Sequence, residues 1–259
     1  RMLEALSGRD DFDKLLAAQI TLPSKTHRQY LMRGLTANDR ADAIVNHYYW
    51  IDSLKERALA QALTSPQEQT VVQFHAKEGV IYTVNASSAG KAEREGESTL
   101  WLRDNEDTLL ASLTFSVARS NGQRVIVIGG LQGPRRCVSR DVIKQSTRAC
   151  HGLFPKRVLM EVLFHLALQS SVKAIFAVSD EGHVFRALRY RLSKGRHFHA
   201  SYDEFWDSLG GKKVSGFCWQ LPLQMERKSL DEIASKKRAE YRRRFELLDE
   251  IEASVKSRF

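Results

Sequence analysis

The sequence predicts an α/β fold of the α+β kind: a mixed, largely antiparallel sheet with a central strand-loop-helix-strand unit, led by helices and closed by one more helix. Three observations predict it. The apolar period shifts from helical to alternating near residue 70, Asn121-Gly122 joins two strand-like runs, and a long apolar helix at Pro155 to Gln169 leads into the short run Ala174 to Val178. A strand, a crossover helix and a second strand imply one parallel pair inside an otherwise antiparallel sheet.

The N-terminal region, 1–66, is helical. Phe12, Leu15, Leu16 and Ile20, and then Ile44, Val45, Tyr48 and Ile51, each fall on one helix face. Thr36, Asn38 and Asp39 precede the second pattern, and their side chains can accept from unpaired helix N–H groups. Ser65-Pro66 ends the helices.

The mixed-sheet core, 67–234, begins with a hairpin of Val72, Phe74, Ile81, Tyr82 and Val84 around a turn at Lys77 to Gly79. Ser87 to Glu97, small, polar and charged, predicts a surface loop. Strands follow at Thr99 to Arg103 and Leu109 to Ala118, and Asn121-Gly122 supplies the positive φ angles of a tight turn before Arg124 to Ile128.

The strand Val125 to Ile128 is predicted to leave through Gly129, Gly130, Leu131, Gln132, Gly133 and Pro134, with Arg135 and Arg136 behind. Helices are expected over Val138 to Cys150 and from Pro155 to Gln169. Leu159, Val162, Leu163 and Leu166 of the second should pack on a sheet holding the strands at Val125 and Ile175. After Ala174 to Val178, Ser179-Asp180 is placed to cap a helix running through Tyr190. A short aromatic helix, Tyr202 to Leu209, ends at Gly210-Gly211, and a last strand spans Phe217 to Leu223. The C-terminal segment, 235–259, is an amphipathic helix with Tyr241, Phe245, Leu248, Ile251 and Val255 on one face. The three segments are expected to form one compact domain.

Composition narrows the function classes. With 42% hydrophobic and 27% charged residues the chain reads as globular, and its longest apolar stretch, Val158 to Leu168, is short and interrupted by Glu161 and His165, so no membrane span is expected. Cys137, Cys150 and Cys218 are odd in number and carry no paired spacing, which fits a reducing compartment and a cytoplasmic protein. The chain opens on Arg1, which leaves open what precedes it. The net charge of +9 is concentrated: Arg124 to Lys213 holds 16 basic and 7 acidic residues. Such a field points to an anionic partner such as a phosphate-bearing cofactor, an acidic glycolipid or nucleic acid. The run Lys236 to Arg244 is offset by acids four residues away along the helix, so specific nucleic-acid binding is not expected.

Four motifs in order, GGLQGP at Gly129 to Pro134, HGLFPK at His151 to Lys156, YDEFWDSLGG at Tyr202 to Gly211 and SKKRAEYRRR at Ser235 to Arg244, resemble the VirK/YbjX family over most of the chain. The resemblance implies a virulence-associated protein of Gram-negative bacteria, linked to surface-protein localisation and antimicrobial-peptide resistance, and it assigns no catalytic residue. The layout is also similar to that of the GNAT acyltransferases, in which backbone amides at the start of the central helix receive the pyrophosphate of coenzyme A. That similarity makes Gly129, Gly130, Gln132, Gly133, Arg135 and Arg136 the candidate donor- or anion-binding residues, with CoA or acyl-CoA as the implied cofactor. Here the usual glycine spacing of those enzymes is absent and Pro134 removes a donor. It also implies Tyr190, shortly before Gly195, as an acid.

Read from the residues, Glu181 and His183 follow a strand end and are candidate general bases, while Tyr202 and Trp206 are candidate acceptor-stacking residues. His151, His183, His197 and His199 show no metal-ligand spacing with a carboxylate or cysteine, and no metal is expected. Two functions fit. One is a cytoplasmic envelope-modification transferase, peripheral to the inner membrane, that uses an acyl-CoA or another phosphate-bearing donor. The other is a non-catalytic accessory factor that binds an anionic envelope precursor, a membrane surface or a client protein.

Overall fold

In the computed structural model of the chain, residues 1–135, 137–185 and 201–259 are described. The helical start comprises α1 (Met2–Ser7), α2 (Phe12–Ala18), α3 (Ala37–Ser53) and α4 (Arg57–Thr64). Thr36 caps α3 in a reciprocal box with Asp39, the third helical residue, so two orphan N–H groups are satisfied at once.

Eight strands follow among the described residues: β1 (Gln69–His75), β2 (Ile81–Ser88), β3 (Ser98–Arg103), β4 (Leu109–Ser120), β5 (Gln123–Gln132), β6 (Ala174–Val178), β7 (Lys212–Ser215) and β8 (Cys218–Leu221). They form one sheet in the order β1-β2-β3-β4-β5-β6-β8-β7. Among the described strands only β5 and β6 run parallel, Val125 to Ile128 beside Ala174 to Ala177. Every other neighbouring pair is antiparallel. The β4–β5 hairpin turns at Asn121 and Gly122, both at positive φ.

Between β5 and β6 lie α5 (Arg140–Ala149) and α6 (Pro155–Gln169). Helix α6 is buried nearly all round; Leu159, Val162, Leu163 and Leu166 are each at most 3% exposed, and it packs on β3, β4, β5 and the C-terminal helix. Each such side chain contributes about 1.5–3 kcal/mol of burial. Helix α3 also lies on β4, and unbroken burial from Leu113 through Ala118 records cover on both faces of that strand. The chain ends in α7 (Tyr202–Ser208) and α8 (Ser235–Lys256). No helix among the described residues is long and apolar enough to cross a membrane.

Three sequence expectations need correction. The segment Ser87 to Glu97 is not a surface loop: Ser87 and Ser88 close β2, and Glu95 and Glu97 are buried. Glu97 receives Lys25 Nζ at 2.5 Å, Tyr48 Oη at 2.7 Å and Gln19 Nε2 at 3.1 Å, which ties the N-terminal helices to the sheet. Strand β5 does not end at Ile128 but continues through Gly129 and Gly130 to Gln132. β7 precedes the last strand and forms a sheet edge that the lysine-rich sequence concealed. Asp180 accepts from the Tyr202 N–H at 3.0 Å and from the Ser201 hydroxyl at the start of α7. The expected helix through Tyr190 falls largely outside the described residues, as does Tyr190 itself.

Candidate functional site

The parallel pair β5–β6 is where the sheet changes from meander to crossover, and ligands of open α/β sheets gather outside the carboxyl ends of strands at such a point. Pairing with β6 stops at Ile128, and β5 runs on through Gly129 to Gln132 beside β4 alone. Side chains meet it there. Tyr202 Oη accepts the Leu131 backbone N–H at 3.1 Å and the Gln132 Nε2 at 2.9 Å. Predicted donor-side and acceptor-side residues thus share one end of the sheet.

Gly129 and Gly130 serve this place by close approach, though to protein. A Cβ on Gly129 would lie 1.9 Å from the Glu95 carbonyl oxygen, and one on Gly130 would lie 2.0 Å from Glu95 Oε2. Any side chain there must displace Glu95. Gly133 differs, since its nearest neighbour is Lys156 Cε at 3.9 Å from an ideal Cβ. Gln132 and Arg135 are exposed, and Arg136 lies outside the described residues.

Glu95, which the sequence placed on the surface, is held by His183: its Oε1 lies 2.8 Å from Nε2, with both side chains 7% exposed. The backbone N–H of Phe185 donates to His183 Nδ1 at 3.3 Å, so the ring proton sits on Nε2 and points to Glu95. Both ring nitrogens are engaged. The Glu181 side chain is exposed, while its carbonyl accepts from Arg33 at 3.0 Å.

The ring of Tyr202 lies between His183, at 5.5 Å, and Trp206, at 6.0 Å and nearly parallel. Trp206 is fully buried, and its indole N–H donates to Val178 O at 2.8 Å. It belongs to the core and does not reach the surface as the stacking residue the sequence suggested. Asp203 fixes α7: its Oδ1 accepts from the Asp180 N–H and the Trp219 indole, and its Oδ2 from Lys213. Burial alone raises its pKa, but these hydrogen bonds outweigh burial and hold it below the usual range.

Lys156, in the first turn of α6, is half-buried beside Gly133, and burial lowers its pKa. Sequence reading passed over it because it stands twenty-three positions beyond the glycine it meets. Phe154, just ahead of it, contacts Phe205 of α7 at 5.9 Å, so α6 and α7 approach each other at this end.

Other predicted features fall elsewhere. His151 lies in the turn after α5, and with His75, Lys77, Arg243, Glu246 and Glu250 it lines a cavity of about 400 Å³ against α8. No group of three or more metal-ligating side chains occurs among the described residues, and His197 and His199 lie outside them. Cys150 and Cys218 are buried, which pushes their thiols up to about 12 and about 11.

A family model described as "Protein of unknown function (DUF535)" matches residues 1–257. The chain is similar to "Uncharacterized protein YbjX" of Escherichia coli K12, 38% identical over 258 residues, covering 99% of this chain and 78% of that one. An "Uncharacterized protein" of Haemophilus influenzae is 28% identical over 224 residues, covering 86% of this chain and 72% of the other.

Proposed function

The chain belongs to the DUF535 family, in agreement with the VirK/YbjX resemblance of its motifs, and on that footing we propose that it is a transferase with a phosphate-bearing donor, an acyl-CoA in the first instance. The donor binds across the end of β5 at Gly133, Arg135 and Lys156, and an envelope component is the acceptor, approaching past Tyr202. The observation that carries this reading is the parting of β5 from β6 beyond Ile128, next to exposed Gln132 and Arg135 and half-buried Lys156. A meander followed by one parallel crossover also supports the GNAT-like layout. A phosphate there would gain charge-assisted hydrogen bonds from arginine and lysine. The concentrated charge between Arg124 and Lys213 favours an anionic donor and a position against the inner face of the membrane.

Calorimetric titration of the full chain with CoA, a long-chain acyl-CoA and a nucleotide-sugar tests the donor site. The double variant Arg135→Ala/Lys156→Ala is expected to bind the preferred ligand at least about tenfold more weakly, with an unchanged melt. Absence of binding by the parent protein, or unchanged affinity in the folded variant, overturns the donor site.

One observation favours a second reading. With both nitrogens of His183 engaged and Glu181 turned to solvent, neither candidate base is poised between two reactants. A non-catalytic accessory factor needs no such group, and its basic surface would engage an anionic envelope precursor or membrane. Salt-sensitive co-sedimentation with acidic-lipid vesicles, together with no binding of CoA, is the outcome that selects it.

A further inference from the structure

The two edges of the sheet, β1 and β7, are protected by different means. Strand β7 carries exposed Lys212 and Lys213, a common device against edge-to-edge pairing. Strand β1 reads Gln-Thr-Val-Val-Gln-Phe-His: it has no lysine, arginine, acid or proline, and is rich in β-branched and aromatic residues. By composition it is a strand that readily accepts another.

Helix α8 and the turn that follows it lie along that edge, and three side chains take its polar groups in turn. Arg258 Nε donates to Val71 O at 3.0 Å, the Gln73 N–H donates to Ser254 Oγ at 3.3 Å, and the His75 N–H donates to Glu250 Oε2 at 3.0 Å. Glu250 Oε1 also meets His75 Nδ1 at 2.6 Å. The strand positions step by two and the helical ones by four, in opposite directions. Two strand residues advance about 6.7 Å and four helical residues about 6.0 Å, so the two series stay in register over three contacts. The hydrogen bonds of a neighbouring strand are thereby reproduced by side chains.

We infer that α8 is a built-in guard of the β1 edge, and that the partner it excludes is a second copy of this chain. Two uncharged β1 strands related by a twofold axis pair antiparallel and close on themselves, satisfying both edges at once. Leu247, Leu248, Ile251 and Val255 are buried and hold α8 against the edge. Ser254 Oγ meets the strand at 3.3 Å, so the helix itself stands where a second strand would lie, and opening the edge requires loosening those anchors.

The test is the variant Glu250→Ala/Ile251→Asp/Val255→Asp in the full chain, which loosens the end of α8 from the edge, compared with the parent by light scattering over about two decades of concentration. The parent is expected to stay monomeric and the variant to dimerise as concentration rises. Adding Gln73→Pro, which removes an edge donor, should return the variant to monomer. A folded triple variant that stays monomeric throughout, or a parent already dimeric through β1, overturns the inference. A measurement on the parent alone serves if the variant fails to fold: amides of Gln73 and His75 should exchange at least about tenfold more slowly than the β7 amides that face away from β8. Equal exchange would show that the edge is unguarded.

Discussion

His183 donates its Nε2–H to Glu95 across 2.8 Å, between side chains 88 positions apart in the sequence. The pair sets the shape of the β5 end, because the other carboxyl oxygen of Glu95 occupies the space that a side chain at position 130 would need. The three glycines of the motif at Gly129 to Gly133 therefore have separate jobs, two in packing and one beside Lys156.

Alanine substitutions should rank accordingly. Gly129→Ala meets backbone and costs the most, about 3 kcal/mol; Gly130→Ala meets a buried, hydrogen-bonded carboxyl and costs about 1–3 kcal/mol; Gly133→Ala meets ordinary contacts and costs under about 0.5 kcal/mol. Glu95→Ala leaves the His183 N–H unpaired, yet it should relieve Gly130→Ala, so the double variant is less destabilised than the sum. Denaturant melts of the four proteins decide the order.

Acid should find His47. Its Nδ1 accepts the Val117 N–H at 3.0 Å, its Nε2–H reaches Ser98 Oγ at 3.0 Å, and that hydroxyl donates to Leu63 O at 2.8 Å. Burial, with Lys25 and Arg9 adding to it, lowers the pKa from 6.5 to about 3. The unfolded chain therefore takes up a proton below 6.5 that the folded chain refuses, and stability falls with pH down to about 3, by about 1.4 kcal/mol per unit at full effect. His47→Gln should be less stable at neutral pH and show a shallower slope between those limits, measured by denaturant titration at stepped pH.

The cysteines should separate by reactivity. Cys137 is exposed, whereas Cys150 and Cys218 are buried with raised pKa values. Alkylation of the folded chain at mildly alkaline pH, followed by mass spectrometry, is expected to modify Cys137 first, by about a hundredfold in rate or more. Equal labelling of Cys150 would mean that the turn before His151 opens readily.

Much of the fold was legible because local period and local chemistry agree. The α3 cap at Thr36, the Asn121-Gly122 turn and the all-round apolar character of α6 each need only neighbouring residues. Glu95 and Glu97 were hidden for the opposite reason: in their polar, glycine-flanked segment they look solvated, and their partners His183, Lys25 and Tyr48 stand far along the chain. Gly129-Gly130 punctuates the sequence like a loop, yet continues the strand because Glu95 fills the space that side chains would occupy. A signal was present, since paired glycines inside an otherwise β-branched run indicate close approach by something. The sequence did not identify the carboxylate as that neighbour.

Crystallising the full chain with a non-hydrolysable acyl-CoA analogue and locating the pyrophosphate tests the donor site most directly. The expected result places it beside Gly133, within hydrogen-bonding reach of Arg135 and Lys156, with the acyl-bearing sulfur toward Tyr202. Pyrophosphate density at any other surface, or no bound analogue at saturating concentration, would contradict the assignment of that site to an acyl-CoA donor.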